Sequence, residues 1–426
     1  MATRFIAQQP REKGNVMAIH IDMRQVVLLI ASAVDLVGVD DVLHGRRVAI
    51  LAVECAKQLG WDQTAQHLLF DAGLLHDVGV SSTRIHRNLI NELDWEGANL
   101  HCEQGYRLFK DFPPLANLAP IVRYHHAHWD DLQKLDIDSS IALFANLIYL
   151  ADRIDANATP YYADNSLLLH VEDICSLISR HSGTLFAPKL VDAFLDAAHA
   201  EAFWLILNPD FIPQFVSEMT HSGKRQKIGL NDLKKFAMII AEIVDAKSPY
   251  TSEHSLGVAR IARLMAEHFG VHGNRLDLLE VAAQLHDIGK LQIPDEVLES
   301  PLKLTPLERA VMKRHSFATY QILKRVSGFE DLARWASQHH ESLDGSGYPF
   351  HMLAGELPLE ARIIKVADIY QALSQNRPYR KPMPAIEILA QLRQMQTDHE
   401  VDSQLVDFVA QNLETCHQAA LGHLDN

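Results

Sequence analysis

Apolar residues recur at helical spacing along most of the chain. In "LNDLKKFAMIIAEIVDA", Leu233, Phe236, Ile240, Ile243 and Val244 fall on one face of a 3.6-residue repeat. "HSLGVARIARLMAEHFG" does the same with Leu256, Ala259, Ala262, Met265 and Phe269, and Gly270 supplies a stop. No series of alternating apolar and polar residues marks out strands, and proline and glycine gather in stretches such as "SPLKLTP" and "LDGSGYP". The pattern predicts an all-α protein. It breaks near the middle, in "LNPDFIPQFVSEMTHSGKRQKIGLND", which predicts an N-terminal unit 1–206, a linker 207–230 and a C-terminal unit 231–426.

The two units repeat each other. His44 and His254 each open an apolar helix, and "LLHDVG" and "QLHDIGK" follow. Then come "HCEQGYRLF" and "HSFATYQIL", "YHHAH" and "QHHES", and finally "YLADRIDA" and "KVADIYQA". Matching residues stand 210 (His44 and His254), 210 (His76 and His286), 214 (His101 and His315), 214 (His125 and His339) and 216 (Asp152 and Asp368) apart. Five landmarks in one order, with only short insertions, indicate a duplicated helical domain.

Length and composition fit that division. The 426 residues suffice for two or three domains, and 48% hydrophobic content gives each a core. Nothing near the start reads as a signal peptide, and no apolar run approaches the ~20 residues of a spanning helix. Cys55, Cys102, Cys175 and Cys416 form no CxxC pair, which argues against a disulfide scaffold or a zinc ribbon. A cytoplasmic protein without a membrane partner is expected. The net charge of −15 argues against broad nucleic-acid binding, though local cations can still attract one anionic ligand. The 24 histidines are the compositional oddity.

Taken singly, each histidine motif has a commoner explanation. A His-Asp pair at a helix end is usually a cap, "DGSGYP" a turn, and Lys290 a solvated lysine. Taken together, in order and in duplicate, they point to metal. In the second copy, His254, His286, Asp287, His315, His339, His340 and Asp368 offer imidazole and carboxylate without thiol. That mixture suits two divalent transition metals such as iron, manganese, nickel, cobalt or zinc. Seven ligands exceed one tetrahedral ion but suit a pair about 3.5–4 Å apart, bridged by a carboxylate and a hydroxide. Asp287 is the natural bridge. Lys290, one turn beyond His286 on a continuing helix, would hold a phosphate oxygen. The expected reaction is phosphoester hydrolysis, with Asp287 and Lys290 as its catalytic residues.

The stretches "LHDIGKLQIPDEVLESPLKLTPLE", "HHESLDGSGYP" and "VADIYQALSQNRPYR" resemble the HD-GYP family of bacterial phosphodiesterases, a subgroup of the HD metal-dependent phosphohydrolases. The likeness runs from Asn231 to about Met395. It implies hydrolysis of cyclic di-GMP to pGpG and onward to GMP. 3',3'-cyclic GMP-AMP, another phosphoester, or a non-catalytic receptor role stand as alternatives. By this resemblance His254, His286, Asp287 and Asp368 hold one metal, and His315, His339 and His340 join Asp287 around the other, with iron or manganese favoured. Lys290, Gly347, Tyr348, Arg377 and Arg380 would contact substrate, with Lys381 a further helper. A homodimer and signalling partner proteins are compatible with such a chain.

Two departures stand out. Tyr250 occupies the place of a glutamate found in trinuclear members, which favours two metals, and Gln371 replaces a usual aspartate. The first copy resembles the wider HD superfamily. His44, His76, Asp77, His101, His125, His126 and Asp152 match the ligand positions, with Asp40 a turn ahead of His44. Val80 stands where the lysine would be, and "HHAHWDDLQ" lacks the glycine-tyrosine-proline loop. Bound metal and a regulatory or scaffold role are expected there, without dinucleotide hydrolysis.

Overall fold

The computed structural model describes residues 21–35, 43–80, 82, 89, 97–222, 227–247, 253–300, 302–376 and 381–423. Helices dominate these residues, as the periodicity predicts. In the N-terminal half α1 spans Met23–Val34, α2 His44–Gln58, α3 Gln63–Leu75, α4 Ala98–Lys110, α5 Ala119–Tyr124 and α6 Ser139–Ala158. Aspartates start three of them. Asp22, Asp62 and Asp138 accept hydrogen bonds from backbone N–H groups of the first turn, at 3.0, 2.9 and 2.7 Å. Helix α2 packs on α3 and α6, α4 on α5, and α5 on α6.

The second half repeats this arrangement. Helix α7 (Ile212–Ser222) leads through the connection to α8 (Leu230–Ala246), α9 (His254–His268) and α10 (Asn274–Leu285). Then come α11 (Pro306–Leu323), α12 (Glu330–Ser337) and α13 (Leu359–Ser374). Helix α9 packs on α10 and α13, α11 on α12, and α12 on α13. The expected face of α8 is buried throughout: Leu233, Phe236, Ile240, Ile243 and Val244. Gly270 stands just beyond α9 at φ +78°, a backbone state that glycine adopts without strain.

Two features differ from the sequence pattern. The stretch 207–230 is not bare chain: α7 buries Ile212, Phe215 and Met219, and the Phe215 ring lies 6.5 Å from that of Phe70. Pro213, which suggests a loop, sits in the first turn, where a helix tolerates it. A short antiparallel pair also joins the halves. β1 (Ile21–Asp22) meets β2 (Lys227–Ile228) with Ile21 opposite Ile228 and Asp22 opposite Lys227. Two residues per strand are too few to show a period.

Helix α1 lies between the two halves. It packs on α3 in one, and on α11 and the 3-10 turn Ile288–Gln292 in the other. Arg24 pairs with Asp71, and Gln25 exchanges hydrogen bonds with Ser327 at 3.0 and 3.3 Å. Among the described residues no helix is long and apolar enough to cross a membrane.

Candidate metal centres

Most of the sequence-predicted ligands of the second copy sit where helices begin or end, two lie within helices, and together they form one cluster. His254 opens α9, His286 and Asp287 follow α10, His315 lies within α11, His339 and His340 follow α12, and Asp368 lies within α13. Asp287 stands in the middle. Its Oδ2 is 3.2 Å from His286 Nε2 and 3.8 Å from His254 Nε2, while Oδ1 is 3.5 Å from His315 Nε2 and 3.8 Å from His339 Nε2. Asp368 Oδ1 lies 3.2 Å from His254 Nε2 and 3.8 Å from His286 Nε2. His340 completes a cluster with His315 and His339. One carboxylate thus faces two histidine groups with its two oxygens.

The imidazoles are aimed from behind. His286, His315 and His339 each direct Nδ1 at a carbonyl three residues back, on Ala283, Met312 and Ala336, at 2.7, 2.6 and 2.6 Å. Donation there fixes the tautomer and leaves Nε2 as the electron-pair donor at the centre. Burial pulls His315 down to about 4 and His339 to about 3, so both are neutral, as ligation requires. Burial opposes charge on Asp287 and Asp368, yet their histidine neighbours, with Lys290 for Asp287, hold both well below the ordinary carboxylate range. Burial would also lower His286, but Asp287 and Asp368 carry it up to about 10. Two buried carboxylates thus hold a proton where a cation would neutralise them better.

This donor set fits divalent metal. His254 Nε2, His286 Nε2 and Asp287 Oδ1 are buried and make no hydrogen bond. Orphaned buried polar atoms are costly unless something binds them.

Lys290 departs from expectation in its backbone. Helix α10 stops at Leu285, and Lys290 lies in the 3-10 turn Ile288–Gln292, from which its ammonium still reaches Asp287. Gly289 permits the turn to pack this closely, since a Cβ there would lie 2.0 Å from the His315 carbonyl oxygen. The turn is pinned directly on α11: Gly289 N–H donates to Thr319 Oγ1 at 3.1 Å, and that hydroxyl donates to the His286 carbonyl at 2.9 Å.

The glycine-tyrosine-proline loop lies beside the cluster. The Tyr348 ring stacks on His340, with centroids 4.8 Å apart, and Lys313 lies 5.0 Å above the Tyr348 ring. Gly345 has φ +81°. Gly347 is required for a different reason, close approach, since a Cβ there would lie 2.3 Å from Ser342 N. Glu341 ties the loop down by accepting from the backbone N–H of Phe350 and Met352, at 2.6 and 2.9 Å. Arg377, Arg380 and Tyr250 lie outside the described residues, and Lys381 is exposed.

The first copy forms a matching cluster. Asp77 Oδ1 lies 3.3 Å from His101 Nε2 and 3.9 Å from His125 Nε2, and Oδ2 lies 3.5 Å from His76 Nε2 and 4.0 Å from His44 Nε2. Asp152 lies 3.2 Å from His44 and 3.8 Å from His126. His76 Nε2 and Asp77 Oδ1 make no hydrogen bond. The surroundings differ. Val80 is buried at the lysine position, and Arg153 donates to Asp152 Oδ2 at 2.9 Å. A narrow cleft lined by Asp35, His44, His76, Asp77 and Val80 among others opens onto this cluster. Asp40 lies outside the described residues.

The sequence reading missed Glu341, Gly289, Arg153 and Gln375. Gly289 had a signal, since "HDVG" and "HDIG" both carry a glycine and a Cβ at Gly79 would lie at the same 2.0 Å from the His101 carbonyl oxygen.

Comparison with known proteins agrees with this geometry. A family profile described as HD domain matches residues 238–405, and another of the same description matches 42–157. The chain is 35% identical to 3'3'-cGAMP-specific phosphodiesterase 1 of Vibrio cholerae serotype O1, over 94% of each chain. It is 40% identical to the cyclic di-GMP phosphodiesterase response regulator RpfG of Xanthomonas campestris, over 36% of this chain and 41% of that one. A crystal structure of a cyclic GMP-AMP specific phosphodiesterase of V. cholerae superposes with a TM-score of 0.63 at 26% identity, covering 95% of this chain and 99% of that one. The chain belongs to the HD-GYP-type phosphodiesterases, built as a tandem of two HD domains.

Proposed function

We propose that the protein is a metal-dependent phosphodiesterase that linearises a cyclic dinucleotide at its C-terminal centre. The observation that carries this reading is Asp287, whose two oxygens face separate histidine groups while Lys290 reaches the same carboxylate. In the proposal His254, His286, Asp287 and Asp368 hold one divalent cation, and Asp287, His315, His339 and His340 the other. Iron or manganese suits these donors. Such a pair supplies a nucleophilic hydroxide at neutral pH and neutralises charge on the phosphate.

The chain's own residues supply the rest. With Asp287 engaged by cations, the Lys290 ammonium, 21% exposed, is left to hold a phosphate oxygen. Tyr348 offers an aromatic face for a base, and Gly347 lets the loop approach the cluster closely. Arg377 and Arg380 are part of the proposed substrate contacts.

On substrate, full-length likeness favours 3'3'-cGAMP, because the relative matched over 94% of its length carries that name, whereas relatives named for cyclic di-GMP match 36% and 62% of this chain. The first centre, within unit 1–206, is proposed to hold metal without hydrolysing the dinucleotide, since it has neither the lysine nor the loop. The purified full chain, incubated with 3'3'-cGAMP and with cyclic di-GMP, tests the proposal. Linear dinucleotide is expected from 3'3'-cGAMP at the higher rate, with loss on chelation and return on adding metal. No linear product from either substrate would overturn it.

A further inference from the structure

The two copies orient their first histidine differently. In the N-terminal copy His44 Nδ1 lies 2.7 Å from Asp155 Oδ2. The other oxygen, Oδ1, accepts from Arg47 Nε at 2.7 Å and from the Tyr162 hydroxyl at 2.6 Å. A carboxylate, itself held by a guanidinium, stands behind the imidazole. In the C-terminal copy, the offsets that align His44 with His254 and Asp152 with Asp368 place Gly257 at Arg47 and Gln371 at Asp155.

Gln371 does not take over from the aspartate. Its amide fills the space above Gly257, where a Cβ would lie 2.2 Å from the amide carbon, and its Nε2 donates to the Ala420 carbonyl at 3.3 Å. Behind His254 stands Gln375, the residue just after α13, with Oε1 3.0 Å from Nδ1. His254 Nε2 faces Asp368 and Asp287. For Nε2 to offer an electron pair there, Nδ1 must carry the hydrogen, and an amide oxygen is a suitable acceptor.

We infer that Gln375 is the positioning residue for His254: the support of the first metal ligand comes from the residue just beyond α13 rather than from the α13 position that matches Asp155, and from a neutral amide rather than a carboxylate. The inference rests on the proposed metal centre. An amide fixes tautomer and ring orientation as a carboxylate does, but adds no negative charge behind the ligand.

The test is titration of the metal-stripped full chain with manganese(II), followed by electron paramagnetic resonance, which reads binding without reference to turnover. Gln375→Ala and Gln375→Met are expected to weaken binding at one class of site by about 10- to 100-fold, the usual scale for losing a partner behind a ligand. The other class, from the N-terminal centre, is unchanged. Gln375→Glu restores the acceptor and is expected to recover binding. Gln371→Met, which keeps side-chain volume and removes the amide, is expected to leave manganese affinity within about twofold of wild type, inside the error of such a comparison. Wild-type affinity in both Gln375 loss variants would overturn the inference, as would weakened binding in Gln371→Met. A protein that binds manganese as described but turns over no dinucleotide would overturn the proposed function and leave the role of Gln375 standing.

Discussion

Asp287 concentrates the chemistry of the C-terminal half in two oxygen atoms. It is buried, faces histidines from four helices or their ends, and is held ionised against the cost of burial by His286 and Lys290. Asp287→Ala is therefore expected to abolish hydrolysis and deplete C-terminal metal, measured by turnover and by metal analysis of the full chain. Lys290→Ala is expected to act differently, retaining metal while kcat falls about 10²-fold, the scale of one lost charge-stabilising donor. Full turnover in the first variant, or metal loss in the second, would contradict these roles. The clustered residues were legible in the sequence because histidine and aspartate announce their chemistry, and because each occurs twice in one order. Gln375 and Glu341 were not. Glutamine and glutamate are ordinary surface residues, and what makes these two matter is where a helix stops and a loop folds back.

Helix ends place most of the clustered histidines and Asp287, and two small features hold one such end. Gly289 lets the 3-10 turn rest on α11, with a would-be Cβ 2.0 Å from the His315 carbonyl. Backbone on both sides leaves no room to relax, so Gly289→Ala is expected to destabilise the protein by about 3 kcal/mol or more, measured by denaturant unfolding. Wild-type stability would show that the turn can move. The same turn receives Lys247, whose ammonium donates to the Leu291 carbonyl at 2.6 Å and lies 3.7 Å from Asp295. Burial pulls Lys247 from 10.5 down to about 8, with Asp295 opposing. Between those values the unfolded chain binds more protons than the folded one, so this group makes stability rise with pH from about 8 to about 10.5. The full rise is about 3 kcal/mol. Subtracting the pH profile of Lys247→Met from that of wild type should expose this rise; superimposable profiles would contradict it. The periodicity of apolar residues revealed the helices themselves, whereas the switch from α10 to a 3-10 turn depends on a contact with a helix some 30 residues on.

At the scale of the whole molecule, one ligand plan is used twice with different surroundings. The N-terminal cluster around Asp77 matches the geometry around Asp287 but has Val80 in place of lysine, Arg153 on Asp152 and no glycine-tyrosine-proline loop. His76→Ala with Asp77→Ala in the full chain is expected to remove N-terminal metal and leave dinucleotide hydrolysis in place. Loss of hydrolysis with C-terminal metal intact would assign the first centre a part in the reaction. The duplication was readable from five landmarks in one order at nearly equal offsets, 210 to 216 residues. The junction was not: β1 and β2 have two residues each, and the span of α1 across both halves follows from packing alone.

The central claim is that Asp287 lies between two cations. Anomalous X-ray diffraction from metal-loaded crystals, recorded on either side of the metal absorption edge, tests it most directly. Two peaks about 3.5–4 Å apart are expected in the C-terminal half, one within reach of His254, His286 and Asp368 and the other of His315, His339 and His340. A single peak away from Asp287, or none in a protein that still hydrolyses the dinucleotide, would contradict the claim.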